Sequence, residues 1–151
     1  MIQRIQSIYL LLATIALAGA LFLPTGHFIS QEGSACAFKA LGVATGEGTL
    51  LSTWGLFGLL ALSAIITVCT IFLFRNRRLQ MRMTVFNSVL LIGYHVAYVI
   101  FLSVLKNELQ GASFQLGWAL CLPLVAIILN GMAFYAIKRD DEMVKAADRI
   151  R

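Results

Sequence analysis

Charge is scarce in this sequence. Only 13% of the 151 residues are Asp, Glu, Lys or Arg, whereas 60% are hydrophobic; a typical soluble domain has about 25% charged residues. The shortage of charge excludes intrinsic disorder, which requires high charge and low hydrophobicity. A chain this short also cannot bury so many apolar side chains in a water-soluble core. The composition therefore predicts an integral membrane protein with one domain, residues 1–151.

Acidic residues are absent from the apolar stretches. All seven carboxylates fall in predicted loops or in the C-terminal tail: Glu32, Glu47, Glu108, Asp140, Asp141, Glu142 and Asp148. Carriers that couple transport to protons or cations ordinarily need a carboxylate inside the membrane, where its burial is costly and is kept for function. The sequence therefore disfavours ion-coupled transport.

Cysteine is also rare. Two of the three cysteines, Cys69 and Cys121, lie in apolar stretches, which excludes a disulfide scaffold and leaves Cys36 as a loop thiol that is free or bonded to a partner. No metal-ligand spacing, nucleophile with a base, phosphate-binding loop or pair of carboxylates occurs. We therefore predict no catalytic residue, no metal, no cofactor and no enzymatic activity.

Four stretches carry no charge at all: 5–31, 48–74, 83–105 and 109–137. Each exceeds the roughly 20 residues that a helix needs to cross the hydrocarbon core, and backbone groups in lipid must be paired within their own segment. After trimming polar and turn residues, we place the spans at 7–23, 53–74, 84–105 and 115–137. The predicted fold is an all-α membrane protein, an antiparallel bundle of four transmembrane helices with a small outer loop cap.

The two outer loops differ in length. In the loop 24–52, only residues 35–43 are expected to form a short strand or hairpin. The second outer loop, 106–113, is expected to be only a turn.

Lysine and arginine are distributed unevenly over the loops. Ten lie on one side: Arg4, Arg75, Arg77, Arg78, Arg82, Lys138, Arg139, Lys145, Arg149 and Arg151. The other side has Lys39 and Lys106. Because cytoplasmic loops carry the excess of cations, this split predicts that both termini lie in the cytoplasm. The same rule accounts for the net charge of +5 without a nucleic-acid partner.

The tail, 138–151, is predicted to continue the fourth helix into the cytoplasm. Met143, Val144, Ala147 and Ile150 line one face and are candidate partner-binding residues. Three arrangements remain open, since the tail can lie on the inner leaflet, extend as a stalk or dock on a partner. Its deletion after Arg139 is expected to cost the helices little.

Polar residues of the third predicted helix share one sector. At 100° per residue, Asn87, Tyr94 and Tyr98 fall within about 40° of one another, and Ser88 and His95 form a neighbouring stripe. Unpaired Asn and His are costly in lipid, so this sector should face protein. It is interpreted either as interhelical hydrogen bonding with a neutral His95, or as a pocket for a small molecule or quinone headgroup in which His95 binds or relays a proton.

Two other helices carry polar residues. Helix two has hydroxyls at i, i+4 and i+7, interpreted as packing positions: Ser63, Thr67 and Thr70. On helix four, Pro123 is expected to cause a kink by freeing the carbonyl of Ala119, and Asn130 follows seven residues later on the same face.

The candidate ligand-binding residues are therefore Asn87, Tyr94, His95, Tyr98 and Asn130. A haem between His27 and His95 is rejected, because His27 lies beyond helix one and His95 lies about 15 Å below the outer end of helix three.

Several segments at the ends and in the inner loop resemble a known family. These are residues 1–7 (MIQRIQS), 78–82 (RLQMR), 122–126 (LPLVA), 137–142 (IKRDDE) and 146–151 (AADRIR). They look like an uncharacterised family of small bacterial membrane proteins with four spans, catalogued as domain of unknown function 4293 and found mainly in Bacteroidota. The resemblance implies a four-helix inner-membrane protein of that phylum, and it implies no activity.

The sequence favours an accessory or scaffold subunit without catalysis, which docks on other membrane subunits or on a second copy of itself within the lipid bilayer. The alternative is a small-molecule or lipid/quinone-binding carrier that uses the polar sector of helix three.

Overall fold

Four long helices dominate the structure. The computed structural model describes residues 3–29, 35–45, 48–108 and 113–149. The helices are α1 (Gln3–Phe22), α2 (Trp54–Phe72), α3 (Arg77–Glu108) and α4 (Cys121–Arg149). All four are long and apolar enough to cross a membrane, which confirms a mostly helical protein with four candidate spans.

The loops form a five-stranded sheet. Its strands are β1 (Gly26–Ile29), β2 (Ala35–Lys39), β3 (Gly42–Thr45), β4 (Gly48–Ser52) and β5 (Ser113–Leu116). They pair antiparallel in the order β4-β3-β2-β1-β5. The all-α prediction was wrong in this respect, because strands of four or five residues give little periodic signal. The loop 106–113 is also more than a turn, since Ser113 begins β5.

The start of the fourth helix differs from the prediction. Gln115 lies in β5 opposite His27, and a short 3-10 helix, Trp118–Leu120, follows before α4 begins. Pro123 is therefore in the first turn of α4, where the N–H that proline lacks would have no partner within the helix. A kink at Pro123 would therefore lie at the start of α4 rather than within the span.

Aromatic side chains join the sheet to α3. The rings of Phe28, Phe38 and Phe114 contact one another, with the Phe28 and Phe114 centroids 4.9 Å apart. The Phe38 ring also lies 5.3 Å from the ring of Tyr98 on α3, and Phe28, Phe38 and Tyr98 are buried. This contact places the sheet over one end of the helices, hereafter the sheet end.

Two threonines connect the sheet to the chain around it. The Thr53 hydroxyl, just before α2, donates to the carbonyl of Ala40 at 2.9 Å. Thr25, just before β1, donates its N–H to the Phe38 carbonyl at 2.8 Å and accepts from the Gly117 N–H at 3.0 Å. The chain entering the sheet is thus bonded both to β2 and to the segment that leads into α4.

Each helix contacts two others: α1 packs against α2 and α4, and α3 packs against the same two. The side chain of Gln6 bonds Ala136, whereas Gly19 lies against Leu122. Buried residues of α1 recur at alternating steps of four and three: Gln6, Leu10, Ala13, Leu17 and Ala20. This spacing is typical of helices that pack side by side along their length.

Buried polar residues gather towards the other end of the helices, where residues 73–76 connect α2 to α3. We call this end the turn end. The polar half of the core comprises Gln6, Ser63, Thr67, Thr70, Gln80, Thr84, Asn87 and Asn130. The half next to the sheet is built from apolar residues, among them Leu17, Leu56, Leu60, Leu91 and Ala126.

Candidate functional site along helix three

Asn87 joins α3 to α2. Its side chain is buried, and its Oδ1 accepts a hydrogen bond from the Ser63 hydroxyl at 2.6 Å. Its Nδ2 donates to the Thr67 hydroxyl oxygen at 2.8 Å, and that hydroxyl donates to the Ser63 carbonyl at 2.8 Å. Both ends of the amide are therefore bonded to the neighbouring helix, which favours the interhelical interpretation at this position.

Two glutamines also cross-link helices, although neither is among the residues predicted from the sequence to form a site. Gln80 Nε2 on α3 donates to the Thr70 carbonyl of α2 at 3.2 Å, and Gln6 Nε2 on α1 donates to the Ala136 carbonyl of α4 at 3.2 Å. A signal for Gln80 was present, since it precedes Asn87 by seven residues and so lies on the same helix face.

Tyr94 and His95 contact each other on α3, with ring centroids 5.4 Å apart. Nδ1 of His95 lies 2.8 Å from the carbonyl oxygen of Leu91. A carbonyl only accepts, so Nδ1 carries a proton, and in the neutral ring Nε2 is an acceptor. Within the described part of the chain, the buried Nε2 has no hydrogen-bond partner, and neither has the buried Tyr94 hydroxyl. His95 thus bonds its own helix rather than a neighbouring one.

Tyr98 belongs to the contact with the sheet. Its hydroxyl donates to the Thr25 carbonyl at 3.3 Å, and its ring centroid lies 6.2 Å from that of Tyr94. The structure therefore brings Tyr94, His95 and Tyr98 together near the sheet end. Asn87 precedes Tyr94 by seven residues, about 10 Å along the helix, and lies in the polar half instead.

Asn130 occupies the polar half on α4. Arg77 contacts Asp140, and Asn87 and Asn130 each lie ten residues from that contact along their own helices. The two asparagines are therefore at the same height in neighbouring helices. Asn130 is fully buried, yet neither Oδ1 nor Nδ2 has a hydrogen-bond partner among the described residues.

An ion pair joins α4 to the start of α3. Nη1 of Arg77 lies 3.1 Å from Oδ2 of Asp140 and also donates to the Asp140 carbonyl at 3.1 Å. Asp140 is only 8% exposed. Deletion after Arg139 would remove this partner of Arg77, so we now expect this deletion to lower the free energy of unfolding. Truncation beyond Asp141 retains Asp140 and therefore keeps its ion pair with Arg77.

The tail is a continuation of α4. The helix is unbroken through Arg149, and residues 142–149 are all exposed. Met143, Val144 and Ala147 thus lie on an exposed helix that extends away from the helix contacts, while Ile150 lies outside the described residues. The thiol of Cys36 likewise falls outside the described side chains.

Comparison with known proteins adds the family. A family model described as "Domain of unknown function (DUF4293)" matches residues 2–150, nearly the whole chain. The chain belongs to this family. This confirms the family suggested by the sequence. The description of DUF4293 assigns no activity, and no curated protein matches the chain.

In this DUF4293 member, the residues predicted as one ligand site divide into three environments. Asn87 is bonded to α2, Tyr98 is bonded below the sheet, and three groups lack a partner in the described structure: the Tyr94 hydroxyl, Nε2 of His95 and the Asn130 amide. The three unpartnered groups are buried and able to form hydrogen bonds, so they could either bond neighbouring helices or bind the polar part of a ligand.

Proposed function

We propose that the chain is an antiparallel four-helix bundle in the inner membrane of a bacterium, as its resemblance to proteins of Bacteroidota implies. The sheet faces the periplasm and both termini are cytoplasmic. The distribution of cations supports this orientation, because the arginines of the α2–α3 connection lie at the turn end, whereas Lys39 lies in the sheet.

Reporter fusions test the orientation. Fusions after Arg78 and after Arg151 are expected to report the cytoplasm, and a fusion near Gly42 the periplasm. A periplasmic reading after Arg151 would refute the four-span arrangement.

Within that membrane, we propose that the protein acts as an accessory or scaffold subunit without catalysis. The observation that carries this proposal is the exposed extension of α4, on which Met143 and Val144 are 39% and 44% exposed. Residues 138–149 extend about 18 Å past the last apolar residue of the span, Ile137. Helical segments of this length gain most of their stability from packing of an apolar face, so a partner that covers this face would stabilise it.

The polar half of the core supports the same function. Asn87, Gln80 and Gln6 are occupied in bonds between helices, as expected of residues that fix helix packing in a membrane. Both ends of the Asn87 amide and Nε2 of Gln80 and Gln6 are therefore not free to bind a substrate, whereas Oε1 of Gln80 has no partner among the described residues.

Purification in mild detergent tests the scaffold role. We expect a stoichiometric partner subunit or a second copy of the chain to remain bound, and to be lost after truncation beyond Asp141 or in Met143→Asp. Arg149→Gln is the matched control, because it also lowers the net charge by one but leaves the apolar face intact. A monomer without partners, or equal loss in Met143→Asp and Arg149→Gln, would contradict the proposal.

A second function, a carrier for a small molecule, lipid or quinone, is favoured by the unpartnered groups on the part of α3 nearer the sheet end. The Tyr94 hydroxyl and Nε2 of His95 would bind the polar part of such a ligand. Mass spectrometry of the purified protein would then detect one retained molecule. Tyr94→Phe and His95→Leu are expected to release it while lowering the free energy of unfolding by less than about 1 kcal/mol. Retention in both variants would refute this function.

A further inference from the structure

Arginines cluster around the connection between α2 and α3. Arg75, Arg78 and Arg82 are exposed, and within the described part of the chain none of them takes part in an ion pair or a hydrogen bond. Together with Arg77 they line a cavity of about 560 Å3, hereafter the arginine cavity. Its lining carboxylate, Asp141, is paired with Lys145 and also attracts Arg78 and Arg77, so one carboxylate faces the four arginines of the cavity. The cavity therefore has a surplus of positive charge available to a ligand.

An apolar groove continues from this cavity along the outside of α3. Its volume is about 590 Å3, and Arg78 and Arg82 line both spaces. The remaining wall includes Phe86 and Val89 of α3 and Phe134 of α4. From Arg78 to Val89 the groove follows the helix for eleven residues, about 16 Å, which is roughly half the thickness of the hydrocarbon core.

We propose that the arginine cavity and this groove together bind one anionic phospholipid. Its phosphate would lie among Arg75, Arg78 and Arg82, because guanidinium groups bind phosphate oxygens with two parallel hydrogen bonds. One acyl chain would lie along the groove against Phe86 and Val89. This inference requires the chain to be in a membrane, but it does not depend on the accessory role proposed above.

The shared wall favours a lipid over other anions. A free phosphate or a nucleic acid would neutralise the arginines but leave the groove uncovered. A neutral lipid would fill the groove but leave the arginines unpaired. The positive-inside rule explains why arginines lie on the cytoplasmic side of the membrane. It does not explain why Arg78 and Arg82 also line an apolar groove of this length.

Lipid binding to the purified full-length protein tests the proposal. Native mass spectrometry in mild detergent would measure the dissociation constants of phosphatidylglycerol, phosphatidylethanolamine with the same acyl chains, and glycerol phosphate. We expect one phosphatidylglycerol to bind at least tenfold more tightly than phosphatidylethanolamine, and glycerol phosphate to bind far more weakly than either.

Two pairs of variants separate the parts of the site. Arg78→Gln with Arg82→Gln is expected to weaken phosphatidylglycerol binding roughly 25-fold, about fivefold for each cation removed. Lys138→Gln with Arg149→Gln removes the same charge outside the site and is expected to leave binding unchanged. Val89→Trp should weaken binding by filling the groove, whereas Val96→Trp, seven residues further along the same face, should not.

Three results would overturn the proposal. Equal binding of the two lipids would show that the arginines do not recognise the headgroup. Equal weakening by the two double variants would reduce the effect to diffuse charge. Binding of glycerol phosphate as tight as that of the lipid would make this a site for free anions.

Discussion

Asn87 and Asn130 offer a sharp test of how the polar half of the core is stabilised. Both side chains are buried, with exposed fractions of 1% and 0%, and they lie at the same height in neighbouring helices. Only Asn87 has hydrogen-bond partners in the described structure, the hydroxyls of Ser63 and Thr67. Replacing each asparagine by leucine therefore changes the same group in nearly the same setting, with and without partners.

The two substitutions should have effects of opposite sign. Hydrogen bonds between membrane helices contribute about 0.6 kcal/mol on average and at most about 1.7 kcal/mol. Asn87→Leu removes two of them, so the free energy of unfolding should fall by about 1–2 kcal/mol. Loss of the Ser63 bond is partly offset, because a serine hydroxyl in a helix can donate to the carbonyl four residues earlier. Asn130→Leu removes an amide whose unpaired burial costs about 1–3 kcal/mol, so unfolding should become harder by about 1 kcal/mol.

Reversible unfolding in mixed micelles, followed by circular dichroism over a series of denaturing-detergent fractions, would measure both differences. Ser63→Ala is a further control, since it removes only one of the two Asn87 bonds and should cost about half as much as Asn87→Leu. If Asn130→Leu destabilises the protein as much as Asn87→Leu, Asn130 has a partner and the reasoning is refuted.

Three further substitutions, two of them with a matched control, test other contacts. Gly117→Ala should destabilise the sheet by more than about 1 kcal/mol in the same assay, because the added Cβ would come within 3.0 Å of three backbone atoms. Gly131→Ala is the control, since its Cβ would enter open space, and it should be neutral or stabilising. Equal effects of the two substitutions would contradict this. Arg77→Gln should lower the free energy of unfolding by about 1–3 kcal/mol, because it leaves the largely buried carboxylate of Asp140 without its partner. Lys138→Gln breaks an ion pair whose side chains are more than half exposed, so it should change the same free energy by less than about 0.5 kcal/mol. An equally large loss in Lys138→Gln would contradict the prediction. His95→Leu should cost less than about 1 kcal/mol because the ring bonds only its own helix, and a loss of 2 kcal/mol or more would reveal a partner for Nε2.

The four helices could be predicted from the absence of charge, since the cost of charge in lipid leaves a long apolar run for each span. The ends of the helices could not be predicted equally well. Residues 115–120 carry no charge and are therefore predicted to lie in the fourth span, yet Gln115 pairs with His27 in the sheet. That pairing joins segments almost ninety residues apart, so it cannot be predicted from the composition of either segment.

The candidate site was predictable only in part. Helical periodicity placed Asn87, Tyr94 and Tyr98 on one face, and the structure shows that all three are buried. Periodicity gives the direction of a side chain but not its partner. For this reason periodicity could not show that the His95 ring bonds the backbone of its own helix.

The distribution of polar contacts explains how the helices keep their register. Lipid supplies little hydrophobic force between helices, so polar bonds and close packing must align them. Within the described residues, α2 is bonded to α3 through Asn87 and Gln80, α1 to α4 through Gln6, and α3 to α4 through Arg77. All of these bonds lie in the half of the molecule away from the sheet. At the sheet end, the paired strands and the contact between the rings of Phe38 and Tyr98 align the helices instead. The core of that half can therefore consist of apolar side chains without hydrogen bonds between helices. Each half of the molecule is thus held in register by a different kind of contact.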